Sequence, residues 1–205
     1  MALFLLRHGA TLVNQQQLFQ GQLDTALSEE GMRQTQRLAL YLREMPIRFI
    51  LSSPLQRAAQ MAEIIGTTRA NPIPPIFQNE LKERDVGRLA GLSKQHIQEQ
   101  FPELEFEKGQ YSLDFRFPGG ESNADFFQRC QIAFSIIRHY WKQLKTGEHI
   151  CAVSHGGTIN ALITIALGFP YDGYTSFKID TAAFAILEFR FNRYYLQAFN
   201  CAVTL

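Results

Sequence analysis

The chain has 205 residues, 46% of them hydrophobic, and carries 20 Lys and Arg against 19 Asp and Glu for a net charge of +1. That balance excludes a polybasic nucleic-acid tail and a basic membrane anchor, and it leaves enough apolar mass for the core of one domain. Cys130, Cys151 and Cys201 form no CxxC pair, which argues against a disulfide framework or zinc ribbon and for reduced thiols in a cytoplasmic protein.

Residues 2–6 (ALFLL) form an apolar run of strand length that stops on Arg7, His8 and Gly9. The run is too short for a signal-peptide core, no basic region precedes it, and no stretch reaches the ~18 apolar residues of a membrane span. A polar, Gln-rich loop is expected up to about Leu27. Ser28 then caps a helix whose Met32, Thr35, Leu38, Leu42 and Met45 keep helical spacing. Residues 48–53 (RFILSS) read as a second strand. Ser53, Pro54 and Gln56 read as a capping box with proline at the first helical position, opening a helix to about Ile65. NPIPP (71–75) is a linker, 76–78 a brief strand, and Ser93 the cap of a short helix to Phe101. Residues 102–120 are irregular and end in FPGG. Ser122 starts a long helix with Phe126, Cys130, Ala133, Ile137, Tyr140 and Leu144 on one side. Residues 149–154 (HICAVS) are a strand, 158–167 a helix, and AAFAILEF with YYLQAF two strands joined by a tight turn. The alternation predicts an α/β fold: a mostly parallel sheet flanked by helices on both faces, made mixed by the final hairpin.

Sites in such sheets lie beyond the carboxyl ends of strands. Three ends stand out: Arg7-His8-Gly9, Ser53 leading to Arg57, and Ser154-His155-Gly156. Arg57 falls in the first turn of its helix, where side chains lean back toward the helix start. Gly9 and Gly156 permit close backbone approach. Each piece alone has a plain structural reading. Together, two arginines and two histidines around one hole make a phosphate pocket, because guanidinium donors match phosphate oxygens. His96 and His139 are expected on helix surfaces, and His149 opens a strand. The chain has no GxSxG, GxxxxGK[ST] or GxGxxG, and no HxH or HExxH, so no metal site and no cofactor are expected.

With these residues in view, the chain resembles the histidine phosphatase superfamily, phosphoglycerate mutase-like branch. RHGATLVNQQQLFQGQLDTALSEEG is similar to the opening signature of that family through RHG, Thr11, Asn14, Gln20-Gly21, Asp24, Leu27 and Gly31. LSSPLQRAAQMAEII resembles its second block with Arg57, and LKERDVGRLAGLS the block that carries the catalytic acid, here Glu83. FPGGES and AVSHGGTI resemble the last two, the second supplying His155. The match spans nearly the whole chain.

The resemblance implies a single domain, 1–205, with a lid insertion at about 102–120. It implies His8 as nucleophile, forming a phosphohistidine on a phosphomonoester, with Arg7, Arg57 and a protonated His155 holding the phosphoryl oxygens. Glu83 would protonate the leaving alkoxide and then take a proton from the hydrolytic water. Asn14, Gln20, Gly21 and Gly156 would line the substrate side. Ala10, Val13 and Ala90 depart from the family pattern without removing any of these groups. The implied activity is hydrolysis of small cytosolic phosphate esters such as α-ribazole phosphate, a sugar phosphate or phosphoglycerate. The alternatives are a cofactor-dependent phosphoglycerate mutase, whose longer insertion with paired arginines is lacking here, and a protein phosphatase. The expected partner is a small phosphomonoester, with neither nucleic acid nor membrane; the oligomeric state is not readable. Phe101, Phe106, Tyr111, Phe115 and Phe117 are expected either to cap the pocket or only to pack the insertion onto the core.

Overall fold

The run at residues 2–7 becomes the strand β1 (Ala2–Arg7) of a computed structural model that describes residues 1–104, 112–173 and 177–203. There follow α1 (Leu12–Gln15), α2 (Glu29–Leu42), β2 (Ile47–Ser52), α3 (Gln56–Thr67), β3 (Ile76–Phe77), α4 (Lys94–Gln100), α5 (Asn123–Trp141), β4 (His149–Ser154), α6 (Gly156–Leu167), β5 (Phe184–Arg190) and β6 (Arg193–Cys201). The six strands form one sheet in the order β3-β2-β4-β1-β5-β6. β3, β2, β4 and β1 are mutually parallel, and β5 and β6 add antiparallel. The expected mixed α/β sheet is therefore what the chain builds.

Strand residues alternate between two buried faces, which is why these strands read as unbroken apolar runs. Leu3, Leu5, Leu51, Ile150 and Ala152 pack with Ala133 and Ile137 of α5 and Ile159 and Leu162 of α6. Phe4, Leu6, Ile50, Cys151 and Val153 pack with Leu38 and Leu42 of α2 and Met61 and Ile65 of α3. Helices thus cover both faces. The parallel register sets Arg7 beside Ser154 and Ser52 beside Val153, so three strand ends meet at one edge. Ser28, Ser93 and Ser122 cap α2, α4 and α5 as expected, the last with a capping box completed by Asp125.

Three expectations change, and one left open is decided. The helix after β2 starts at Gln56 with Leu55 at its cap and no side-chain bond from that cap; the Gln56 amide donates to Asp24 Oδ1 at 2.7 Å, while Ser53 Oγ accepts from Leu55 N at 3.3 Å and contacts His155. The loop before Leu27 contains α1, capped by Thr11 with Asn14 completing a capping box. α6 begins at Gly156, two residues earlier than expected, with His155 as its N-cap. Phe101 and Phe117 are buried, and Phe115 partly so, in a satellite core with Val86, Leu89 and Ile97, so these rings pack the insertion onto the fold. Phe106 and Tyr111 lie outside the described residues. Cys130 and Cys151 are buried free thiols, each pushed up to about 12 by burial, and Cys201 is a half-buried one. Among the described residues, no helix is long and apolar enough to cross a membrane.

Candidate active site

His8 leaves the end of β1 with its amide donating to Ser154 O at 3.0 Å and its carbonyl accepting from Ala182 N at 3.1 Å. Its ring Nδ1 lies 2.7 Å from Gly9 O. A carbonyl only accepts, so Nδ1 carries the proton and Nε2 the lone pair. The other side of the ring agrees: Arg57 Nε, a pure donor, lies 3.2 Å from His8 Nε2. Burial first, then Arg57 and Arg7, hold His8 well below the usual histidine range, which keeps the imidazole neutral.

Arg57 reaches this position as the second residue of α3, and it is only 1% exposed. Its NH1 donates to Leu23 O at 2.8 Å and its NH2 to Gly21 O at 2.7 Å. Gly21 has φ +50, and a Cβ there would meet Val86 Cγ2 at 2.5 Å, so this carbonyl geometry requires glycine. Burial lowers Arg57 to about 10, with Glu83 and Asp24 opposing and Arg7 adding to the fall, so it stays cationic at neutrality. Arg7 donates from NH1 to Ile179 O at 2.6 Å, while its buried Nε has no partner among the described residues.

His155 is fully buried at the head of α6. Its ring centroid lies 5.1 Å from that of His8, and its Nε2 lies 2.8 Å from Ser53 Oγ. Nδ1 is buried without a partner among the described residues. Burial, then Arg57, His8 and Arg7, hold this ring well below the usual histidine range. Burial and these cations favour the neutral ring in the free pocket, whereas the protonated His155 is expected with phosphoryl oxygens bound.

Glu83 enters from the segment after β3. Its Oε1 accepts from Arg84 N at 2.8 Å and its Oε2 from Gly157 N at 2.9 Å. The charge of Glu83 raises the proton affinity of both Arg7 and Arg57 against their burial, which puts the carboxylate in the same hole. A long-range bracket fixes the segment. Arg129 on α5 donates from NH1 to Glu80 O at 2.9 Å and Lys82 O at 2.8 Å, and from NH2 to Glu83 O at 3.1 Å. The same guanidinium grips Glu121 in a fork at 2.7 and 2.8 Å. Burial alone would lower Arg129; the hydrogen bonds and charge of Glu121 more than offset it. Gln22 Nε2 adds a bond to Glu83 O at 3.0 Å, and Ser154 and Thr158 hydroxyls donate to Leu81 O and Lys82 O.

Arg7, His8, Arg57, Glu83 and His155 are therefore brought together. Asn14 and Gln20 are spent within their own loop: Asn14 Nδ2 donates to Gln20 Oε1 at 3.1 Å, and Gln20 Nε2 donates to the hydroxyls of Thr11 at 3.1 Å and Thr25 at 2.7 Å. They tie the loop that presents the carbonyls of Gly21 and Leu23 to Arg57. Gly156 faces Arg7, whose guanidinium would lie 3.6 Å from a Cβ there. Ser53, Glu121 and Arg129 were not assigned from the sequence. Glu121 sits within the quoted FPGGES block, but nothing in the spacing marks Arg129.

A family description of the histidine phosphatase superfamily (branch 1) matches residues 3–202. The chain belongs to this superfamily. Phosphoglycerate mutase-like protein 4 of Arabidopsis thaliana is 34% identical over 159 residues, covering 77% of this chain and 67% of that protein. Among solved structures, a mycobacterial glucosyl-3-phosphoglycerate phosphatase in complex with VO3 superposes with a TM-score of 0.83 at 27% identity, covering 98% of this chain and 99% of that one. The α-ribazole phosphatase of Shigella flexneri shares the fold with a TM-score of 0.86 at 24% identity, over 100% of this chain and 99% of that one. Histidine phosphatase relatives thus carry both mutase and phosphatase names, and the chain is an enzyme of that type.

Proposed function

We propose that this histidine phosphatase hydrolyses small phosphate monoesters through a phosphohistidine on His8. The observation that carries the reading is the fixed tautomer of His8: Nδ1–H is held by Gly9 O, and the Nε2 lone pair faces Arg57. A neutral imidazole poised this way is a nucleophile that needs no base.

In the first half-reaction the Nε2 lone pair attacks phosphorus and the P–O ester bond breaks. Glu83, in its acid form, gives its proton to the departing alkoxide. Gly9 O stabilises the positive charge that the phosphorylated ring acquires on Nδ1–H. Arg7 and Arg57 hold the equatorial oxygens, where phosphoryl transfer draws most of its help from positioning and charge. In the second half-reaction the Glu83 carboxylate takes a proton from water as its oxygen attacks phosphorus. The P–N bond then breaks, orthophosphate departs, and both residues return to their starting states. This chemistry calls on no metal or cofactor. Gly156 borders the phosphate, and Asn14 and Gln20 hold the wall next to it.

The short insertion and the name of the glucosyl-3-phosphoglycerate phosphatase neighbour support hydrolysis over mutase activity. A panel of phosphoglycerates, sugar phosphates and α-ribazole phosphate, assayed with and without 2,3-bisphosphoglycerate, tests the reading. The expectation is phosphate release that ignores the bisphosphate and vanishes in His8→Ala. Bisphosphate-dependent interconversion of phosphoglycerates faster than phosphate release would make the protein a mutase.

A further inference from the structure

We propose that Ser53 is a positioning residue that fixes His155 as the Nδ1–H tautomer, so that a neutral imidazole donates a hydrogen bond from Nδ1 to a phosphoryl oxygen. The tautomer follows from counting hydrogens at a buried hydroxyl. Ser53 is 0% exposed, and its Oγ offers one proton and two lone pairs. The Leu55 amide, which can only donate, takes one lone pair at 3.3 Å. The other contact of Ser53 Oγ among the described residues is His155 Nε2 at 2.8 Å. If Ser53 donates to Nε2, the hydroxyl proton is used. If Nε2 donates instead, both that proton and the Nδ1 lone pair are left buried without a partner among the described residues, against the single Nδ1 hydrogen of the first arrangement, and folded proteins keep such groups few. Nε2 therefore holds a lone pair, and Nδ1 the hydrogen.

That Nδ1 is buried, has no partner among the described residues, and belongs to a ring packed against His8, with the Arg7 guanidinium facing the next residue, Gly156. A donor there suits a phosphoryl oxygen, whereas a lone pair there would repel one. The groups acting on His155 are Arg57, His8, Arg7 and Arg129, none of them a carboxylate that would hold an imidazolium. Binding and transition-state stabilisation through this ring then do not require it to be charged. The role of the oxygen as ligand rests on the phosphatase reading; the tautomer does not.

The test is 15N NMR of the full chain labelled at histidine, near neutral pH, with His155 assigned through His155→Gln. The expected spectrum shows His155 with a pyrrole-type Nδ1 and a pyridine-type Nε2, and the Nδ1 signal shifts on adding inorganic phosphate. In Ser53→Ala the pair of signals moves toward the Nε2–H form, and phosphate binding weakens about tenfold. An Nε2–H or doubly protonated His155 in the parent protein, an unmoved Nδ1 signal with saturating phosphate, or an unchanged tautomer in Ser53→Ala would each overturn the proposal. The parent spectrum decides even if Ser53→Ala fails to fold. The spectrum needs no turnover, so loss of the phosphohistidine reading would register separately, as missing acid-labile label on His8.

Discussion

Gly157→Ala isolates the proton donor with a single methyl group. A Cβ at this position would lie 2.5 Å from Glu83 Oε1 and 3.4 Å from Oε2. Ordinary contacts are about 3.5 Å, so the carboxylate must retreat by about 1 Å. In doing so it strains or gives up the bond from Gly157 N at 2.9 Å, a charge-assisted contact of about 1.5–3 kcal/mol. Alanine regains up to ~1 kcal/mol of helix propensity in the first turn of α6. The net cost to stability is then about 1 kcal/mol, or a Tm lowered by ~2–4 °C for a chain of this size. Catalysis should suffer far more, since a displacement of 1 Å can cost ~100-fold and a general acid contributes ~100-fold or more. The assay compares kcat/KM for an alkyl phosphate and for p-nitrophenyl phosphate, because kcat/KM reports steps only up to the phosphoenzyme. Alkyl phosphate turnover should fall ~100-fold, and the nitrophenyl ester, whose leaving group departs unprotonated, less than ~10-fold. Equal losses on the two esters, or an alkyl activity within twofold of the parent, would refute the assignment of Glu83 as the acid.

Three further outcomes are expected. Glu121→Ala strips the carboxylate from Arg129, with both side chains less than 20% exposed; at about 3 kcal/mol it should lower Tm by ~6–12 °C and reduce alkyl phosphate turnover more than nitrophenyl turnover, as thermal melts and the same two esters would show. His8 and His155 are both held below the unfolded-state value of about 6.5, so the unfolded chain binds more protons as pH falls. Stability is full above about pH 6.5 and drops below it, by ~1.4 kcal/mol per pH unit for each ring, until the folded-state values are reached; urea melts between pH 7 and 5.5 measure the slope, and His8→Asn should remove about half of it. Asn14→Ala removes half of the capping box of α1 and the tie to Gln20, and should cost ~1–2 kcal/mol in a denaturant melt while lowering kcat/KM several-fold with His8 still phosphorylated.

The sheet and the reactive pair were legible because local signals carried them. An unbroken apolar run ending on Arg7 and His8, and another ending on His155, already say where two buried strands stop at one edge. The serine caps at 28, 93 and 122 act within their own first turn, so spacing alone finds them. Ser53 shows the limit: its local pattern is a good capping box, but Asp24, 32 positions away, takes the Gln56 amide, and the hydroxyl is shared between Leu55 N and His155, 102 positions away. α6 was read two residues short because glycines at 156 and 157 weaken the helical signal, and Gly157 is what gives Glu83 its room. The bracket through Arg129 joins carbonyls 46 to 49 residues distant, which no spacing rule encodes. The aromatic residues of the insertion left two readings open for a related reason: composition shows that rings are present, and only packing shows that Phe101 and Phe117 face a satellite core.

The most direct measurement is to quench the enzyme with acid-free denaturant within milliseconds of mixing with substrate, digest it, and locate the phosphoryl group by mass spectrometry. A phosphoryl group on Nε2 of His8 that is labile to acid, stable to base, formed as fast as alcohol is released and lost as fast as phosphate appears, is the expected result. Alcohol and phosphate released together in a single turnover, with His8 never modified, would contradict it.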